Sequence, residues 1–122
     1  MPTIMLVEDD LTMLNLLSTL LELEGFAVVK VEEENPEVIF HTLQEKKPDL
    51  ILLDVHLRQF NGLDLLQRIK QDSQLSKTRV LMSSGMDFRF ECKQAGADDF
   101  ILKPYMPDVL ITQIHRILKP AS

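Results

Sequence analysis

Five short apolar runs alternate along the chain with longer segments in which apolar residues recur every three or four positions. The runs are Ile4-Met5-Leu6-Val7, Ala27-Val28-Val29-Lys30-Val31, Leu50-Ile51-Leu52-Leu53, Val80-Leu81-Met82 and Phe100-Ile101-Leu102. Apart from Lys30 they are continuous rather than alternating, which is what strands covered on both faces require. Asp10 or Thr12 can open the first intervening helix. Its leucines at 14, 17 and 21 fall at i, i+3 and i+7, Met13, Leu16 and Leu20 broaden the stripe, and Gly25 ends it. Pro36 suits the first turn of a second helix through Val38, Ile39, Phe40 and Leu43, ended by Lys46-Lys47-Pro48. A third runs from about Gly62 to Asp72 with Leu65, Leu66 and Ile69 inward, and a short, weakly periodic fourth from near Phe88 to Gln94. Leu110, Ile111, Ile114, Ile117 and Leu118 mark the fifth, closed by Pro120. Strand and helix thus alternate five times, which predicts an α/β fold: a doubly wound parallel sheet with right-handed crossovers and helices on both faces.

Four of the five runs end in polar groups: Glu8-Asp9-Asp10, Asp54, Ser83-Ser84 and Lys103-Pro104. In an open parallel sheet the ligand crevice lies outside the carboxyl ends of the strands, so these chain-distant groups should meet there. The second run leads only to Glu32 and Glu33, which fits a strand at the sheet edge, away from the crevice.

The size, 122 residues at 45% hydrophobic, allows one domain with a core, read here as spanning roughly residues 2–119 of 1–122. The net charge of −6 and the lack of a Lys/Arg-rich stretch argue against direct nucleic-acid binding. No apolar run reaches the roughly 18 residues of a membrane span, and no signal pattern opens the chain. A soluble, cytoplasmic protein is expected, and the single cysteine, Cys92, agrees with a reducing compartment. No base stands near Cys92 in sequence, so it reads as a small packing residue.

The strand-end residues suit one chemistry together better than any does alone. Mg²⁺ takes oxygen ligands, usually one or two carboxylates plus waters and a phosphate oxygen, and Glu8, Asp9 and Asp54 supply such a set. Asp54 can act as a carboxylate nucleophile toward phosphorus, forming an aspartyl phosphate. Lys103 and the metal would neutralise the peripheral oxygens of the transferring group, and the Ser84 hydroxyl could hydrogen-bond one of them. Separately, Asp54 reads as a cap or turn residue, the acidic triplet as a helix N-terminus, Ser83-Ser84-Gly85 as a turn and Lys103 as a surface lysine.

Nearly all of the chain resembles a response-regulator receiver domain of two-component signalling. The resemblance rests on Ile4-Met5-Leu6-Val7-Glu8-Asp9-Asp10, Pro48-Asp49-Leu50-Ile51-Leu52-Leu53-Asp54, Asn61-Gly62-Leu63, Ala95-Gly96-Ala97-Asp98-Asp99-Phe100 and Lys103-Pro104-Tyr105. It implies a five-stranded parallel sheet in the order 2-1-3-4-5, with Asp54 as phosphoacceptor and Glu8 and Asp9 as Mg²⁺ ligands. It further implies the main-chain carbonyl of His56 as another ligand, Ser84 as switch hydroxyl, Lys103 as partner of the phosphoryl group and Phe100 as aromatic switch. A cis Lys103–Pro104 bond is also common in that family. The implied partners are a histidine kinase or phosphotransfer protein and a downstream output protein or fused domain. The implied role is a signalling switch that is not an enzyme beyond assisting its own phosphorylation and slow dephosphorylation.

The chain departs from the family pattern at two positions and in the length of one segment. Arg58 replaces a common proline four residues after Asp54, Asn61 replaces an Asp, and the segment from Ser84 to Gly96 is about three residues, nearly one helical turn, short. The last bears on the output face, where Phe88 and Phe90, two apart, cannot both face the core from a regular helix. His41 and His115 read as structural. Two other classes compete: a phosphate-independent pseudo-receiver acting as an interaction module, and an aspartyl-phosphate hydrolase. The hydrolase would usually need a second acid where His56 stands, and the intact set of Glu8, Asp9, Asp54, Ser84 and Lys103 argues against the pseudo-receiver.

Overall fold

A computed structural model describes residues 1–32 and 35–119. The elements follow in strict alternation: β1 (Thr3–Val7), α1 (Leu11–Leu23), β2 (Ala27–Val31), α2 (Pro36–Lys46), β3 (Leu50–Asp54), α3 (Gly62–Gln71), β4 (Arg79–Ser84), α4 (Arg89–Gln94), β5 (Asp99–Leu102) and α5 (Pro107–Leu118). The sheet order is β2-β1-β3-β4-β5 with every pair parallel, the order that the resemblance implies. Glu33 and Pro120 lie outside the described residues.

Successive side chains on a strand point to opposite faces, and the two faces make two cores. Met5, Val7, Ile51, Leu53, Val80 and Met82 meet Ile39 and Leu43 of α2, Leu65, Leu66 and Ile69 of α3, and Cys92 of α4. On the other face Ile4, Leu6, Leu50, Leu52 and Leu81 meet Leu14, Leu17 and Leu21 of α1 and Leu110 and Ile114 of α5. Each such side chain contributes about 1.5–3 kcal/mol by leaving water, which explains why the inner strands have no polar position before their ends. The stripe on α1 is narrower than its sequence suggests, since Leu16 is 49% exposed. Val38 of α2 likewise faces out.

Local signals set the helix ends. The Asp10 carboxylate accepts from the backbone N–H groups of Thr12 and Met13 at 3.0 and 3.2 Å, so Asp10 rather than Thr12 is the cap of α1. Asn35 and Asn61 cap α2 and α3 in the same way, at 2.9 and 2.8 Å. Gly25, at φ +95°, takes the left-handed turn after α1. The N-cap residue of α4, Phe88, makes no side-chain cap bond, though Asp87 Oδ1 accepts from the Arg89 N–H at 3.1 Å, and Cys92 is the one buried residue of the helix. Phe88 packs partly buried against the core while Phe90 is 71% exposed, so the two phenylalanines part as their spacing requires.

Parallel register aligns Val7 with Leu53, Asp54 with Ser83 and Ser84 with Leu102. The polar residues that end β1, β3, β4 and β5 therefore stand along one edge of the sheet. Beneath them Gly62 opens α3 against the backbone of Asp54 and donates its N–H to the Val55 carbonyl at 2.7 Å. A Cβ on Gly62 would collide with the main-chain carbonyl oxygen of Asp54 and lie 3.2 Å from Val55 Cα. Gly62→Ala should therefore push α3 off β3 and destabilise the domain by about 1–3 kcal/mol, the usual cost of overpacking. Urea denaturation checks this, and an unchanged midpoint would mean that the β3–α3 junction yields without cost.

Candidate functional site

Glu8 and Asp54 are both buried, and a buried carboxylate needs a partner. Lys103 supplies it from the far side of the sheet, with Nζ 2.6 Å from Asp54 Oδ2 and 3.1 Å from Glu8 Oε2. Its backbone N–H also donates to the Ser84 carbonyl at 2.8 Å, and the Lys103–Pro104 bond is cis. Asp54 Oδ1 accepts from the N–H of His56 at 3.1 Å, and Glu8 Oε1 from the N–H of Asp10 at 3.3 Å.

The charges act on one another. Burial raises the carboxyl pKa of Glu8, and the charge and hydrogen bond of Lys103 offset that only in part. Burial works to lower the Lys103 pKa, but the hydrogen bonds and charges of Asp54 and Glu8 outweigh it and leave the ammonium above its ordinary value. Two carboxylates against one ammonium leave the pocket net negative. An open groove of about 520 Å³ lies beside it, lined by Glu8, Asp10, Met13, Gly85, Lys103, Pro104 and Tyr105. Burial pushes the Tyr105 phenol up to about 12, so it stays protonated.

The remaining expected residues are placed less uniformly. Asp9 stands at the same strand end but turns to Arg58, with Nε 3.7 Å from Oδ2, which puts a cation beside the crevice. The Ser84 hydroxyl is buried and occupied: its oxygen accepts from the N–H of Met86 at 3.1 Å and lies 3.5 Å from His56 Nδ1. Phe100 is 2% exposed, inside the core, with the Arg89 guanidinium 5.6 Å from the ring centroid. The His56 ring meets Phe88 edge-on at 5.2 Å, a contact that the sequence did not signal because it depends on how a loop side chain turns.

Away from the site, His41 is exposed on α2, and His115 packs on Phe26 at 5.2 Å. The Cys92 thiol is buried, its pKa pushed up to about 11 by burial and then by the Glu91 charge, which leaves it unreactive.

Among the described residues no three acidic, imidazole or thiol side chains converge as a ready-made metal cage. Mg²⁺ rarely uses one, taking one or two carboxylates and filling its octahedron with water and substrate oxygens. Asp54 and Glu8, with Asp9 beside them and excess negative charge between them, are a donor set that fits the ion.

A profile described as the response regulator receiver domain matches residues 4–115. The chain belongs to that family. A receiver domain of two-component response regulators is therefore what these strand ends serve. The chain is 34% identical over 118 residues to the chemotaxis protein CheY of Bacillus subtilis, covering 94% of this chain and 96% of that one. It is 30% identical over 120 residues to the phosphate regulon transcriptional regulatory protein PhoB of Pseudomonas aeruginosa, covering 96% of this chain and 52% of that one. The receiver thus spans about half the length of the latter relative. Among solved structures, the signal receiver domain of a signal transduction histidine kinase from Syntrophus aciditrophicus superposes with a TM-score of 0.85 at 30% identity, covering 97% of this chain and 90% of that one. The chemotaxis response regulator CheY4 of Vibrio cholerae shares the fold at a TM-score of 0.87 and 22% identity, over 96% of this chain and 98% of that one.

Replacing Lys103 by Met keeps the length of the side chain and removes its charge. Hydrogen bonds to charged groups contribute about 1.5–3 kcal/mol, so without metal at pH 7 Lys103→Met should lose about that much stability. Glu8 then loses the charge and hydrogen bond that offset its burial and its folded pKa stands further above the unfolded one, so the deficit is small below pH ~4 and grows as pH rises through the folded value. Urea titrations at pH 4.5 and 7 check this, and equal deficits at both pH values would contradict it.

Proposed function

We propose that this receiver is a phosphoacceptor switch, taking a phosphoryl group onto Asp54 from the phosphohistidine of a histidine kinase or phosphotransfer protein. The observation that supports it most is the Lys103 ammonium 2.6 Å from the Asp54 carboxylate, at the mouth of a net-negative pocket. In this reading an Asp54 oxygen attacks phosphorus, the phosphorus–nitrogen bond breaks, and its electron pair leaves with the imidazole. Lys103 moves its hydrogen bond from Asp54 Oδ2 to a phosphoryl oxygen, following the charge. Glu8, Asp9, Asp54 and the His56 carbonyl would hold Mg²⁺, which supplies the positive charge that brings an anionic donor to a carboxylate. Ser84 exchanges its bond from Met86 for one to the phosphoryl group, and the strand ends of β4 and β5 report the change. Phe100, already buried, then acts by holding or leaving its place under Arg89. The chain assists its own phosphorylation and slow dephosphorylation and turns over no other substrate.

The output is a separate protein or a fused domain. Relatives of both lengths exist, one of them named as a transcriptional regulatory protein and twice as long, the other as a chemotaxis protein of the receiver's own size.

Incubation with acetyl phosphate and Mg²⁺ should add one phosphoryl group, read by intact mass. Asp54→Asn should stay unmodified, and chelation of the metal should stop the reaction. An unmodified wild-type chain would favour the phosphate-independent interaction module instead. The double variant Glu8→Gln, Asp9→Asn should weaken Mg²⁺ binding about tenfold or more, since even outer ligands cost that much. Unchanged affinity by calorimetry would remove both residues as ligands.

A further inference from the structure

The His56 main chain already has a place in the site, but its ring does something separate. The imidazole lies edge-on to Phe88, centroids 5.2 Å apart and planes at 65°, with Nδ1 3.5 Å from the Ser84 hydroxyl oxygen. That hydroxyl accepts from Met86, which leaves its own proton available for Nδ1 in the tautomer protonated on Nε2. One ring thus touches both the end of β4 and the residue that starts α4.

What α4 lacks makes the contact matter. It is six residues long and buries only Cys92, its N-cap residue Phe88 makes no side-chain cap bond, and at its start the exposed Asp87 carboxylate accepts from the Arg89 N–H at 3.1 Å. Helices of under roughly 12 residues are marginal alone, so α4 depends on tertiary contacts at its start. Phe88 provides the apolar one, packed against the core, while Phe90 faces out. The backbone of His56 meanwhile donates to Asp54 Oδ1 at 3.1 Å, so the residue that touches Phe88 is tied to the carboxylate itself.

We propose that the His56 imidazole is a positioning residue that fastens the start of α4, through Phe88, and the Ser84 hydroxyl to the loop following Asp54. The static part stands without any phosphoryl chemistry. The dynamic part rests on the proposed function: a group placed on Asp54 disturbs the His56 N–H bond, shifts the ring, and so changes how firmly α4 is held. The route from site to helix then runs through one side chain, the His56 ring, and does not use the Arg89–Phe100 contact at the same end of α4.

Amide hydrogen exchange without a phosphoryl donor tests the static part. An edge-on aromatic contact corresponds to about a three- to tenfold change in a local opening equilibrium, so residues 85–94 should exchange that much faster in His56→Ala. His56→Phe keeps a ring beside Phe88 and should restore exchange to within about twofold of wild type. The Phe88 ring-proton resonances should move in His56→Ala and return toward wild type in His56→Phe, which general destabilisation would not produce. Exchange in His56→Ala equal to wild type, or in His56→Phe as fast as in His56→Ala, overturns the proposal.

The dynamic part is tested with acetyl phosphate and Mg²⁺ on Phe88→Ala. This variant should accept the phosphoryl group at the wild-type rate by intact mass, yet residues 85–94 should not show the change in exchange that wild type shows. The same change in both would overturn transmission through Phe88. A wild-type chain that takes up no phosphoryl group would overturn the proposed function, while the first experiment still decides the ring contact.

Discussion

The whole carboxyl edge of the sheet depends on one ammonium group. Glu8 ends β1 and Asp54 ends β3, adjacent strands, and both carboxylates are out of water. Burial raises the carboxyl pKa of Glu8, and the neighbouring Asp54 charge adds to it last and least. Lys103 reaches them from β5, two strands beyond β3, and binds both at hydrogen-bond distance. It thereby holds the ends of β1, β3 and β5 together, and its own backbone bond to Ser84 adds β4. The pocket, the groove beside it and the orientation of Asp54 all follow from that reach.

The fold was legible because its signal is periodic. Continuous apolar runs and helical stripes placed every element within a residue or two, and the second run, with Lys30 and no crevice group, does lie at the sheet edge. Glu8, Asp54 and Lys103 were legible for a related reason: position at a strand end fixes where a residue goes whatever its rotamer. The same rule puts Asp9 beside them but cannot tell which way a side chain at the edge turns, and Asp9 turns to Arg58. Phe100 belongs to a strand whose alternate residues face different cores, so its burial follows from register more than from its own chemistry. The meeting of His56 and Phe88 lies in two loops with no period, where sequence spacing has no power to align rings.

Side-chain polarity adds to the apolar packing of Cys92 with Phe100 and of Ile101 with Leu110 and Ile114 in joining the last three elements. Asp99, at the start of β5, accepts from Gln113 and Arg116 of α5 at 3.2 and 2.8 Å and faces Lys93 of α4 at 3.8 Å. Burial works to raise its pKa, but the Phe100 N–H, Gln113, Arg116 and Lys93 outweigh it and hold the carboxyl below the usual range. Its contribution to stability is therefore present above the unfolded value near 4 and is lost as pH falls through the folded one. Exposed pairs of this kind are weak and screened by salt. A six-residue helix anchored in the core by Cys92 and Phe88 therefore draws only weak further support from such pairs.

Lys103 follows Glu8 by 95 residues and Asp54 by 49. A chain made from its N-terminus at about 5–20 residues per second therefore has both acids for several seconds before their counter-ion exists. During that interval β1 and β3 can pair only with two carboxylates that repel or take up protons at their joint end. The charge that makes the crevice useful is thus also a checkpoint in time: the edge of the sheet can close only after β5 has been synthesised, when nearly the whole domain is present to close with it.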